Sequence, residues 1–279
     1  MPDPLLPLLP GPQDADRPWL VCYGIDERVE LTGHVLSMWL AKIAGFVTSE
    51  STPGDGVHVG LPPHWRSVAW ACGTWLAGRS VLLGSNEEIR TAGLIPELSV
   101  AFTPESLYDE AEAQALVPPA SLALRWPEEL PALVLDGAAD LMHYPDRFTP
   151  VSTAADSVCL TDLTSEAAAP AAPGAPGGTA PSGGRLTVLT RAQLAARVEA
   201  ADAPAGSGRH STSRAVLVRS PDTAQMLQEV LVAWRTGRTA VVLTPEAGDD
   251  VAAAAIRQEG IQEDIQEGIT ARAGGAQSR

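Results

Sequence analysis

An α/β fold is predicted by three features of the sequence: strand–helix–strand units closed by glycine, an internal repeat of one unit, and an aliphatic core composition. The first unit is "VHVGL" (57–61), a helical stretch entered through proline and ended at Gly78, and the strand "RSVLLG". The second is "RAVLVR" (214–219), the helical "PDTAQMLQEVLVAWRTG", and "RTAVVLTP". A shift of 159 positions superposes them without a gap. Val57 then falls on Val216, Val59 on Val218, Pro62 on Pro221, Trp75 on Trp234, Gly78 on Gly237 and Arg79 on Arg238. Such units build parallel sheets through right-handed crossovers, so two related doubly wound βαβ lobes are expected.

Taken in order, residues 1–18 read as a Pro-rich arm. A helix is predicted from Leu31 to Val47, capped by Thr32, with Val35, Trp39, Ile43 and Phe46 on one face. After the first repeat unit, "LSVAFT" (98–103) is a strand and "PESLYDEAEAQAL" an acidic helix. "ALVLD" (132–136), "DSVCLT" (156–161) and "RLTVLT" are further strands, with a helix starting near Thr190. The division expected is a first lobe at 19–160, an Ala/Pro/Gly-rich degenerate loop or linker at 161–184, a partial second lobe at 185–260, and a frayed tail at 261–279.

Hydrophobic residues make up 45% of the 279, enough for a core, while aromatics are only 5%, so Leu, Val and Ala must fill most of it. A net charge of −15 argues against nucleic acid, because phosphate neutralisation needs clustered cations. Lys42 is the only lysine. Cys22, Cys72 and Cys159 form no CxxC pair and read as reduced thiols of a cytoplasmic protein. A zinc set from Cys22, His34, His58, His64 and Cys72 fits no ligand spacing, so no metal is expected. No stretch is long and apolar enough to cross a bilayer, and the N-terminus lacks the basic start of a signal peptide.

"Gly54-Asp55-x-Val57" leading to Leu61-Pro62, then Trp75-x-Ala77-Gly78 and a strand, resembles the N-terminal part of the adenylate-forming (AMP-binding) superfamily of acyl-CoA synthetases and luciferases. The resemblance covers roughly residues 20–260. It extends to short actinobacterial proteins that align only with this region and bring no assigned activity, and the lysine-poor, Arg/Ala/Pro-rich composition fits a high-GC source. It implies a Ser/Thr/Gly-rich phosphate loop ending Pro-Lys-Gly, whose amides and hydroxyls would embrace ATP. Here "DSVCLTDLTSE" and "GGRLTVLTRAQL" frame that position, while "AAAPAAPGAPGGTAP" replaces its core and Arg185 is the nearest cation. The resemblance also implies downstream elements (a magnesium carboxylate, a ribose Asp, a mobile domain with a catalytic lysine) that this truncated match does not reach.

Candidate sites follow. Thr161, Thr164 and Ser165, beside Asp162, are hydroxyls of the degenerate loop that would face a phosphate or metal; the competing reading, which we favour, is a turn into a linker. His64 and Trp65 follow a strand end, where open α/β sheets bind ligands, and are also suited to capping the helix. Asp136, Asp140, His143 and Asp146 have a spacing open to a metal and read as an exposed loop. No nucleophile elbow, Walker loop or dinucleotide fingerprint is present. The expected function is therefore a non-catalytic relative of the adenylate-forming N-terminal domain, a binding or interaction module for an acyl or nucleotide-like molecule or a protein partner, including a second copy. No cofactor is expected, with ATP or AMP and Mg as the exception to test. The alternatives are a partial adenylate-forming enzyme completed by another chain, and a functionless remnant.

Overall fold

The computed structural model describes residues 2–11, 14, 16–164, 186–202 and 213–261. The elements run β1 (Pro18–Tyr23), β2 (Arg28–Thr32), α1 (Gly33–Glu50), β3 (Val57–Gly60), α2 (Trp65–Leu76), β4 (Val81–Leu83), α3 (Asn86–Ala92), β5 (Leu98–Ala101), β6 (Ala113–Leu116) and β7 (Val134–Asp136). They continue with β8 (Val158–Asp162), β9 (Thr187–Thr190), α4 (Arg191–Asp202), β10 (Ala215–Val218), α5 (Thr223–Arg235), β11 (Thr239–Leu243) and α6 (Asp249–Glu259). The strands form a four-stranded sheet, β10-β11-β1-β2, and a seven-stranded sheet, β7-β6-β5-β3-β4-β8-β9. Pairing is parallel throughout except β1–β2 and β8–β9, so both predicted βαβ units are present.

The strands are shared out differently from a split at 161–184. The β1–β2 hairpin, absent from the expected elements, joins β11 in the smaller sheet although it lies in the first forty residues. β8 and β9, on either side of 165–185, both belong to the larger sheet. The Pro-rich arm is not free either. Leu5 and Leu9 are buried, and the fully buried carboxylate of Asp3 meets Arg191 Nη1 at 2.6 Å. Arg191 also donates to the carbonyl of Trp75, fastening the arm to the C-terminal end of α2.

Helix α2 touches strands of both sheets, β1, β3 and β4, and every residue from Trp65 to Trp75 is buried. A helix covered on all sides must be apolar all round. Its one cation, Arg66, lies over the Trp65 ring at 4.6 Å and donates to the carbonyls of Ala120, Ser121 and Ala123. Helix α1 packs on α2 and is capped by Thr32 as expected, its hydroxyl accepting from the Val35 amide. Its buried stripe is Leu36, Leu40, Ile43, Ala44 and Val47 together with Phe46, leaving Val35 exposed and Trp39 half-buried.

Two further expectations are corrected. Between 104 and 116 there is no acidic helix but a 3-10 turn (Pro104–Ser106) followed by β6. Glu, Ala and Gln favour helix locally, yet the edge of β5 takes this segment as a parallel strand, a tertiary override of propensity. Helix α3 was not foreseen, although Ser85-x-x-Glu88 forms a full capping box. Residues 262–279, most of the expected tail, lie outside the described residues.

Candidate ligand cleft

Parallel strands end together on one side of each sheet, and ligand sites of open α/β folds gather there. Here a cleft of about 610 Å³ opens where the carboxyl ends of β3, β4 and β8 meet the loops after β10 and β11. One hydrogen bond joins its two sides: Thr223, the first residue of α5, donates its hydroxyl to the Leu61 carbonyl at 2.8 Å. The floor is His58, 1% exposed. Its Nε2 lies 3.1 Å from the Gly84 carbonyl and therefore carries the proton. Nδ1 accepts from the Ser99 hydroxyl at 2.9 Å, and Ser99 Oγ in turn accepts from the Tyr108 amide. Burial lowers the His58 pKa to about 4, so the imidazole is neutral at physiological pH. Gly60 makes room for the ring, since a Cβ there would lie 2.8 Å from His58 Cε1.

The rim is polar and acidic. Ser85 caps α3, and Asn86 ties that helix to the turn after β5 by donating to the carbonyls of Glu105 and Leu107. Glu87, Glu105 and Asp222 supply carboxylates, the last also accepting from the Gln225 amide as the cap of α5. Among the described residues lining the cleft there is no Lys or Arg. Among the described residues the lining thus brings three carboxylates and a neutral imidazole together and supplies no cation for a phosphate. Lys42 is held elsewhere, between Asp146 at 2.6 Å and the Tyr144 carbonyl at 2.8 Å.

Of the degenerate-loop candidates, Thr164 lines this cleft. Its amide and hydroxyl both donate to Asp162 Oδ1, at 3.0 and 2.7 Å, forming an Asx turn at the end of β8. Thr161 sits within β8, paired with Leu82 and Val188, and does not line it. Ser165 and the rest of the segment to 185 lie outside the described residues.

His64 lines a second cavity, of about 460 Å³, with Phe102, Asp26, Glu27 and Glu246. It caps α2 through Nδ1, which accepts from the Arg66 amide at 3.1 Å, and its backbone amide donates to Ser67 Oγ to complete a capping box. Nε2 faces Ser121 Oγ at 3.3 Å, and the Ser121 hydroxyl donates its hydrogen bond to Glu27 Oε1 at 2.8 Å. Burial brings the His64 pKa to about 3, with the Arg66 charge adding to the effect. Trp65 lines neither cavity; it packs edge-on against Trp39 beneath Arg66. The four-residue Asp/His series is dispersed among local partners. Asp136 accepts from the amides of Trp126, Ala138 and Ala139, Asp140 from the Asp136 amide, and Asp146 pairs with Lys42. Among the described residues no three His, Cys, Asp or Glu side chains converge on a metal position.

The residues that sequence reasoning missed are Asn86, Glu87, Glu105 and Asp222. The signal for the first two was the Ser85–Glu88 capping box directly after a strand. Asp222 was readable as the cap preceding a helical stretch.

No family model matches the sequence, and no curated protein matches it. Solved structures do. A Brucella canis acyl-CoA synthetase matches at TM-score 0.68 and 18% identity, over 91% of this chain and 48% of its own. A Streptomyces lividans acetoacetyl-CoA synthetase matches at TM-score 0.62 and 16% identity, over 88% and 39%. The anthranilate CoA ligase AuaEII, in complex with anthranoyl-AMP, matches at TM-score 0.62 and 13% identity, over 92% and 47%. The chain thus spans less than half the length of these three proteins. Among the described residues no helix is long and apolar enough to cross a membrane. The chain has the fold of an N-terminal part of the adenylate-forming superfamily.

Proposed function

We propose that this chain is a non-catalytic relative of the adenylate-forming N-terminal domain, a binding module whose cleft takes an acyl or nucleoside-like molecule rather than a polyphosphate. The observation that carries this reading is the lining of the cleft: Glu87, Glu105 and Asp222 around the neutral His58, with the sole lysine paired to Asp146 outside it. Such a rim repels phosphates, while Asn86 Oδ1, which has no hydrogen-bond partner among the described residues, and the remaining lone pairs of the Ser85 and Thr164 hydroxyls are acceptors suited to the hydroxyls of a ribose or the N–H of an amide. The three cysteines, each buried and unpaired, support a reducing, cytoplasmic location.

Calorimetry with adenosine, AMP, Mg-ATP and a short series of acyl-CoAs tests the reading. Binding of adenosine or an acyl ligand is expected, with ATP weaker than adenosine. Micromolar ATP binding, or pyrophosphate exchange driven by any carboxylic acid, would overturn it. That result would favour a partial adenylate-forming enzyme completed by a partner chain, a reading supported by the anthranoyl-AMP carried by one of the structural neighbours.

A further inference from the structure

β10 is an edge strand of the four-stranded sheet, with no strand paired beyond it among the described residues. Its register with β11 pairs Val216 with Ala240, and the Thr239 amide donates to the Arg214 carbonyl. In a parallel ladder this turns the backbone groups of 214, 216 and 218 toward β11 and those of 215 and 217 outward. The outward groups of Ala215 are already taken: Ser213 Oγ lies 3.3 Å from its amide and 2.8 Å from its carbonyl. Those of Leu217 have no partner among the described residues.

Beside this open position runs a groove of about 480 Å³ between α4 and α5. Its walls are Val198, Val216, Leu217 and Val232, and its charged rim carries Arg197 and Arg238. Arg197 has no ion pair among the described residues, and Arg238 uses only Nε, toward Thr236 Oγ1 at 3.0 Å. The one carboxylate in the lining, Glu229, accepts from Gln225 Nε2 at 2.8 Å. Two guanidinium groups with no ion pair among the described residues therefore border an apolar trough and a strand edge with no partner among them, in a chain whose net charge is −15.

We infer that this groove docks an extended acidic segment of a partner polypeptide, added as a strand to β10. The Leu217 amide and carbonyl select an extended backbone, the trough takes its apolar side chains, and Arg197 and Arg238 select carboxylates between them. A second copy of this chain is a poorer fit. Antiparallel pairing of two β10 strands, about a two-fold axis normal to the sheet, keeps α4 and α5 of both copies on one face, so the seam would gather Arg197 and Arg238 from each copy, and like charges across a strand pair repel. The site lies apart from the ligand cleft, shares no lining residue with it, and stands whether or not that cleft binds a small molecule.

The test uses two capped, fluorescently labelled hexapeptides, one alternating Glu and Val, the other Lys and Val, titrated by anisotropy against the full chain. The acidic peptide is expected to bind, the basic one not, and exchange of the Leu217 amide to slow when the acidic peptide is bound. Leu217→Pro removes the outward donor while sparing the ladder to β11, as proline on an edge strand does, and should abolish binding. The double variant Arg197→Glu, Arg238→Glu should weaken the acidic peptide about tenfold or more and admit the basic one. It also serves should Leu217→Pro fail to fold. Equal binding of both peptides, no binding of the acidic one, or an unchanged Leu217 amide would overturn the inference. So would self-association that Leu217→Pro removes, which would assign the edge to a second copy.

Discussion

The two βαβ units, β3-α2-β4 and β10-α5-β11, share local chemistry and differ in everything around them. Offset by 159 positions, Val57 pairs with Val81 as Val216 pairs with Ala240. Trp75 Nε1 donates to the Cys159 carbonyl and Trp234 Nε1 to the Trp19 carbonyl, each at 2.8 Å. The Arg79 amide bonds the Thr74 carbonyl, and the Arg238 amide the Ala233 carbonyl. Gly78 and Gly237 end the helices at φ 76° and 73°. Yet β3 is an inner strand with α2 wrapped on every side, whereas β10 is an edge and α5 buries one face. The same unit is a core element in one place and a surface element in the other, so equivalent substitutions should have unequal costs.

The widest gap is expected at the arginines that cap the two helix ends. Arg191 reaches the Trp75 carbonyl from a position with no solvent exposure, neutralised by the equally buried Asp3. Arg17 reaches the Gly237 carbonyl at the surface. Removing one member of a buried pair leaves an uncompensated charge, so Asp3→Ala should cost about 3–5 kcal/mol in urea unfolding. Arg17→Ala should cost about 1 kcal/mol, the worth of one exposed hydrogen bond. The double variant Asp3→Leu, Arg191→Met should recover most of the first loss, because an apolar pair avoids desolvating two ions. A cost for Asp3→Ala no larger than for Arg17→Ala would erase the contrast.

A second asymmetry is titratable. The first unit carries His58 within β3 and His64 as the cap of α2; the offset of 159 puts Leu217 and Thr223 at those positions of the second. Unfolded imidazoles take a proton near pH 6.5, the buried ones only near pH 4 (His58) and pH 3 (His64). Between those limits the unfolded chain binds more protons, so stability is full above pH 6.5 and falls as pH drops toward 4. Each histidine should cost about 1.4 kcal/mol at pH 5.5 relative to pH 7.5. Amides of β3 and α2 should then lose hydrogen-exchange protection before those of β10 and α5. His64→Asn keeps the cap and should halve the pH slope. A slope unchanged in that variant would show the proton going elsewhere.

How much of this was readable follows from how local each signal is. The βαβ units were legible because proline, glycine and apolar periodicity mark them within thirty residues, and the shift between them anticipated the shared register. Helix α3 and the β1–β2 hairpin were legible in principle, from Ser85-x-x-Glu88 and from the alternation in Arg28–Thr32, whose burial runs exposed, buried, exposed, buried. The strand β6 was not, since its residues favour helix and only the edge of β5 makes it a strand. Nor was the Asp3–Arg191 pair, 188 positions apart. The cleft fell between these cases. His58, Asn86, Glu105 and Asp222 come from four loops or strand ends on two sheets, and no spacing along the chain announces their meeting. Thr164 was singled out for its hydroxyl, which Asp162 engages within an Asx turn at the cleft's edge.

The finest distinction lies at the two glycines, where backbone and surroundings can be separated. Both sit in the left-handed region, so alanine at either should cost about 1 kcal/mol through the backbone alone. At Gly237 a Cβ would meet nothing within 4 Å, and that cost should be the whole effect. At Gly78 it would come within 2.8 Å of Val151 Cγ1. Val151 is 45% exposed and able to give way, which keeps the added packing cost near the low end, about 1 kcal/mol. Thermal melts of Gly78→Ala and Gly237→Ala should therefore differ by about that amount. Adding Val151→Gly to both, which removes Cγ1 and also the Cβ that would lie 3.0 Å away, isolates the cause: the difference should shrink to within about 0.5 kcal/mol, the level of additivity between sites that do not touch. If it persists, the backbone at the two helix ends is not equivalent, and the likeness of the two units stops short of their most similar turn.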